Sequence, residues 1–143
     1  MPPNNRAYGP TVRAVRHALG KTLTDVAATA GLSKGYWSKV EANIRRPEAE
    51  PTTRIAAALG VPVEVLTGQL PVIATLRDAA SIDPGTFARD VGLTIGRLER
   101  IERGTERPHS DTLDLIATRL GVEVDALSAK PAPPRAAAPA RSA

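Results

Sequence analysis

The feature that most constrains this chain is that it repeats itself. Slid by 61 positions, residues 12–66 fall on residues 73–127 without a gap, and the coincidences include Arg16/Arg77, Gly31/Gly92, Glu41/Glu102, Arg46/Arg107, Pro47/Pro108 and Gly60/Gly121. A chain rich in alanine matches alanine by chance at many offsets. It does not readily match Arg, Glu, Pro and Gly at the same one. The chain is therefore two copies of one module of roughly 60 residues rather than a single core. A solenoid needs three or more repeats, so paired domains are the expected architecture.

Composition narrows the class. There is no cysteine, which excludes a disulfide framework and a thiolate metal site. His17 and His109 are too few for a histidine-rich centre, and both are expected as surface residues. No apolar run approaches the roughly 18 residues of a membrane span. The start, Met-Pro-Pro-Asn-Asn-Arg, lacks the apolar stretch of a signal peptide. A soluble, cytoplasmic protein without a membrane partner is expected. The aromatic residues are Tyr8, Tyr36, Trp37 and Phe87, so the core is mostly Leu, Val, Ile and Ala, which favours short packed helices over a sheet.

Each copy reads as about five short helices. In the first, Val12, Val15, Ala18 and Leu19 form an apolar stripe that Gly20 ends. Thr22 caps a second helix, with Asp25 as a capping-box partner and Val26, Ala27 and Ala30 facing inward. Gly31 stops it in the left-handed conformation. Ser33 caps a third helix, Lys34 to Glu41, with Trp37 and Val40 inward and Tyr36 outward; Asn43 takes the left-handed position beyond it. Pro51, Ile55, Ala56 and Leu59 mark a fourth helix closed by Gly60, and Val63 to Leu66 a last turn. The second copy has Ile73, Leu76 and Ala80 in helix one, and Asp83 as cap before Pro84. Phe87, Ala88 and Val91 face inward there. Thr94 caps its third helix, with Leu98 and Ile101 inward. Its fourth helix buries Leu113, Ile116, Ala117 and Leu120. A short connector, Thr67 to Pro71, sets the copies side by side. Residues 131–143 are Pro, Ala, Arg and Ser only and are expected to be a disordered tail.

The arrangement that carries chemistry is the turn between helices two and three: Val26-Ala27, then Ala30-Gly31-Leu32-Ser33, then Trp37, Val40 and Glu41. Small alanines let two helices cross closely, the glycine permits the tight turn, and the cap launches a helix with an apolar seam on one side only. Its other side is left to enter a DNA major groove. Both copies resemble the phage-repressor and Cro class of helix-turn-helix domains, the XRE family. The likeness rests on the turn alanine and glycine, the Glu ending helix three, the Arg46-Pro47 and Arg107-Pro108 pairs, and Ala56, Leu59, Ala117 and Leu120. It implies an all-α fold of two tandem lambda-repressor-like bundles, residues 8–67 and 71–128. It also implies that Arg16 pairs with Glu41, and Arg77 with Glu102. Two departures stand out: Thr52 where the family places a large apolar residue (Leu113 in copy two), and Leu23 and Pro84 where it often has glutamine.

By this resemblance, Lys34, Gly35, Tyr36 and Ser38 occupy base-reading positions, and Lys39 one that meets a base or phosphate. Thr22, Ser33, Arg45 and Arg46 are suited to phosphate. In copy two the set is Thr94, Arg97, Arg100, Arg103 and Arg107, and Arg97 suits bidentate contact with guanine. The charges are unequal. Residues 1–67 hold nine basic and five acidic groups, residues 68–130 eight and ten, and Glu99 and Glu106 interrupt the second patch. Two uses of copy two stay open: a weaker DNA-reading head, or a surface for protein contact such as a homodimer. No catalytic constellation, phosphate loop or metal pair stands out, so neither enzyme activity nor a cofactor is expected. Without a sensor segment, no small-molecule effector is expected either. The resemblance implies a transcriptional regulator that occupies a double-stranded operator, most simply a repressor associated with the nucleoid when bound. The competing class is an antitoxin-like or phage-derived interaction protein.

Overall fold

The structure is a computed structural model that describes residues 6–128; the tail expected at 131–143 lies outside the described residues. Among the described residues there are helices and no strands. They run α1 (Gly9–Ala18), α2 (Leu23–Ala30), α3 (Lys34–Glu41), α4 (Ala49–Leu59), α5 (Val63–Thr67), α6 (Ile73–Ala79), α7 (Pro84–Asp90), α8 (Ile95–Arg103), α9 (Ser110–Leu120) and α10 (Val124–Ser128). The 61-residue offset of the sequence recurs in the helix bounds. It carries the bounds of α4 onto α9 and of α5 onto α10, and those of α2 and α3 onto α7 and α8 to within one residue. None of the helices is long and apolar enough to cross a membrane.

Helix boundaries follow local chemistry. Thr22, Ser33, Asp83 and Thr94 sit in extended backbone, and each side chain accepts the N–H three residues on, satisfying a donor that has no intrahelical partner. Asp25 contributes only its backbone N–H to the Thr22 cap, at 3.1 Å, so the capping is one-sided. Leu19 and Ala80, expected at the inner ends of helix one in each copy, are instead exposed C-cap residues. Both helices end one residue earlier than their apolar stripes suggest, because the chain must turn toward the next cap. Leu113 and Leu120 are half-buried rather than enclosed.

The buried side chains of both copies join in one cluster, from Ala7 to Leu127. The seam between copies is built on α1, against which α6 and α10 pack. At its centre the buried Thr11 hydroxyl donates to the Ala126 carbonyl at 2.7 Å, between residues 115 apart in sequence. The five-residue connector is therefore no free tether.

Copy one also has an arm that copy two lacks. Ala7 and Tyr8 are buried before α1 begins. The Ala7 N–H donates to Thr52 Oγ1 at 3.1 Å and the Tyr8 N–H to the Leu66 carbonyl at 2.9 Å. This accounts for Thr52: a large apolar residue there would leave the buried Ala7 N–H without an acceptor. Gly9 completes the junction. A Cβ at Gly9 would lie 2.1 Å from the Val40 carbonyl oxygen, so only glycine lets the start of α1 lie against the end of α3.

Candidate nucleic-acid interface

The inner side of α3 is locked. Trp37 and Val40 are fully buried. Glu41 is gripped by Arg16, whose Nε and NH2 donate to its two carboxylate oxygens at 2.6 and 2.9 Å, and by Trp37 Nε1 at 2.7 Å. The remaining Arg16 donor reaches the Lys21 carbonyl at 3.0 Å. Copy two repeats the device: Arg77 meets Glu102 at 2.7 and 3.2 Å and the Ile82 carbonyl at 2.9 Å. The hydrogen bonds to Glu41 and Glu102 push both guanidinium groups further toward the charged state. Such a bidentate, part-buried pair fixes the angle between helix one and helix three more than it adds net stability. Both pairs implied by the family resemblance are formed. The Trp37 contact was not foreseen, although its four-residue spacing from Glu41 was legible.

The outer side of α3 is open. Lys34, Gly35, Ser38 and Lys39 are exposed, and a Cβ on Gly35 would meet nothing within 4 Å. Tyr36 differs from expectation: it is half-buried, packed on the core edge, with the Arg45 guanidinium 5.3 Å above its ring. The stacking explains the burial, since Arg45 covers the face that periodicity alone leaves to solvent. Among the described residues Lys34, Lys39 and Arg45 have no acidic partner. Thr22 and Ser33 accept backbone N–H groups with a lone pair, so each hydroxyl hydrogen can still donate outward.

Arg46 lies elsewhere. Its Nε donates to the Ala7 carbonyl at 3.1 Å, its NH2 reaches the Arg6 carbonyl at 3.4 Å, and its plane lies 5.8 Å from the Tyr8 ring. Burial, with Arg6 nearby, weakens its hold on the proton. Arg46 anchors the arm, a use that sequence spacing did not reveal.

In copy two, Thr94 accepts from the Arg97 N–H at 3.2 Å, and Arg103 and Arg107 are exposed. Arg97 and Arg100, however, both hold Glu106, through Nε contacts of 2.7 and 2.9 Å to its two oxygens. Those hydrogen bonds, Arg97 first, hold the Glu106 carboxyl below the usual carboxylate range.

A buried side joined to an exposed basic side, launched from a capped turn, is the geometry of a DNA-reading helix. Residues 7–67 match the helix-turn-helix domain family. That domain type binds DNA and is not catalytic. Curated relatives include the transcriptional regulator ClgR of Mycobacterium tuberculosis, in strains CDC 1551 / Oshkosh and ATCC 25618 / H37Rv. Each is 34% identical over 58 residues, which cover 41% of this chain and 52% of the relative. The chain thus spans about half the length of the curated relatives it matches. No solved structure matches it.

Proposed function

We propose that this protein is a sequence-specific double-stranded DNA-binding transcriptional regulator, acting as a repressor by operator occupancy. In this reading both copies are XRE-like helix-turn-helix domains, 8–67 and 71–128, and the first is the principal reader. The observation that carries it is the split character of α3: one side pinned by Trp37, Val40 and the Arg16–Glu41 pair, the other presenting Lys34 and Lys39 beside Arg45. Lys34, Gly35, Tyr36 and Ser38 meet base edges, Lys39 meets a base or phosphate, and Thr22, Ser33 and Arg45 meet phosphate. The second copy supplies the surface through which two chains pair, a role supported by its excess of acidic over basic groups.

Selection of bound fragments from sheared genomic DNA, followed by gel shift, tests the reading. Lys39→Ala in the full chain should weaken binding to the selected site and flatten the slope of log affinity on log salt by up to about one. Unchanged affinity and slope in the double variant Lys34→Ala/Lys39→Ala, with an unchanged melting temperature, would refute it.

A further inference from the structure

We propose that Glu106 silences the recognition helix of the second copy, so that one structural position decides which copy grips DNA. The inference rests on the reading of α3 as a DNA-reading helix. It concerns what the same geometry does 61 residues later.

The turn after the third helix is built alike in both copies. A residue of positive φ follows, Asn43 at 63° and Gly104 at 83°. The next two N–H groups then fold back on one carbonyl. Ile44 and Arg45 donate to the Lys39 carbonyl at 2.9 and 3.1 Å; Thr105 and Glu106 donate to the Arg100 carbonyl at 2.9 and 3.3 Å. The backbone thus delivers residue 45 and residue 106 to the same place beside the helix. Arg45 there stacks on Tyr36 and adds a cation to the reading side. Glu106 there bridges Arg97 and Arg100, the counterparts of Tyr36 and Lys39.

The charge balance of the two surfaces follows. Across the positions holding Lys34, Tyr36, Ser38, Lys39 and Arg45, copy one carries three cations and no anion. The matching Ile95, Arg97, Glu99, Arg100 and Glu106 carry two of each. An arginine drawn to phosphate must leave a carboxylate already in hydrogen-bond contact, and that carboxylate then faces the phosphate itself. Exchange of one anionic partner for another gains little, and the uncompensated carboxylate repels the duplex. Within that bridge Arg97 and Arg100 hold the proton affinity of Glu106 down, so the free helix carries the carboxylate as an anion.

The test uses the full-length chain and duplex DNA, both the fragment selected by the wild type and a random-sequence duplex at low salt. Glu106→Gln keeps the shape and removes the anion; Glu106→Arg installs the charge of copy one. Both should bind the random duplex more tightly, with a salt slope steeper by about one to two, as two arginines reach phosphate. The double variant Arg97→Ala/Arg100→Ala in the wild-type background should change affinity less than twofold, and the same double change should erase the gain of Glu106→Gln. Melting curves confirm that each variant is folded. If Glu106→Gln leaves affinity and slope unchanged, or Arg97→Ala/Arg100→Ala alone costs tenfold or more, the silencing is overturned. These outcomes stand apart from the reading of copy one. A wild type that binds no duplex would refute that reading, while a gain of binding on Glu106→Gln would still uphold the silencing of copy two.

Discussion

Trp37 offers the most stringent check on the register of α3. It is fully buried, and its indole N–H donates to Glu41 Oε2 at 2.7 Å. Trp37→Ala removes a large buried ring and leaves a cavity, at about 3–5 kcal/mol. Glu41 does not become an orphan charge, because both its oxygens still face Arg16 at 2.6 and 2.9 Å, so the cost stays within the range for packing alone. Trp37→Phe keeps most of the ring and forfeits one charge-assisted hydrogen bond plus some volume, at roughly 2–3 kcal/mol. For a domain of this size, a loss of 3–5 kcal/mol lowers the melting temperature by about 10–20 °C. Circular dichroism at the helical minimum measures it, since both variants lack the sole tryptophan of the chain.

The shape of the transition is as informative as its midpoint. The buried residues of both copies form one cluster, and Thr11 bonds Ala126 across the seam. Trp37→Ala should therefore bring down the melting of both copies in a single step. A biphasic curve that loses half its helical signal early would mean that the copies fold independently and that the seam contributes little. An unchanged curve with lost DNA affinity would place Trp37 on the surface, and with it would fall the outward placement of Lys34, Ser38 and Lys39.

Three further outcomes follow from single positions. Gly35→Ala should raise stability by about 0.5–1 kcal/mol, because the helix gains propensity and the new Cβ meets nothing; DNA affinity should fall in the same variant, and a fall in both would show that Gly35 serves the fold instead. Gly9→Ala should cost about 1–3 kcal/mol by thermal melting, since its Cβ would press on the Val40 carbonyl, and a neutral result would remove the argument for close approach of α1 to α3. The Asp83 carboxyl is held below its ordinary range by the Thr86 hydroxyl and backbone N–H. Its contribution to stability is therefore present above the unfolded carboxylate pKa and lost as pH falls through the lower folded value, and Asp83→Asn should remove that part of the acid limb in a pH series of melts.

The short-range features were legible because their causes are local. Caps at Thr22, Ser33, Asp83 and Thr94, the left-handed Gly31 and Asn43, and the inward Trp37 and Val40 follow from residues within one or two turns. The Arg16–Glu41 pair was legible only through family resemblance, since nothing periodic links residues 25 apart. The arm and the seam were illegible for the same reason, with partners 45 and 115 residues distant. Thr52 did leave a trace, a polar residue where copy two has Leu113. Glu106 left a clearer one. Aligning the copies sets it opposite Arg45, a reversal of charge at a fixed turn.

That reversal bears on how the protein reaches specificity. A single recognition helix covers only a few base pairs, whereas a specific site must be preferred over random DNA by about 4–10 kcal/mol. Repressors of this type meet the requirement with two heads about 34 Å apart along one duplex. If Glu106 withholds the second helix, the second head cannot come from the same chain. It must come from another, through an isologous contact that presents the same α3 twice. On this proposal the protein should bind as a dimer, with two copies of α3 on a palindrome and the second domains supplying the contact between chains. Light scattering of the free protein and footprinting of the complex decide this together. A dimer should protect two symmetric half-sites, and Lys39→Ala should weaken both equally. A monomer that protects one asymmetric site would refute it, whether one head or both heads of that chain lay on the DNA.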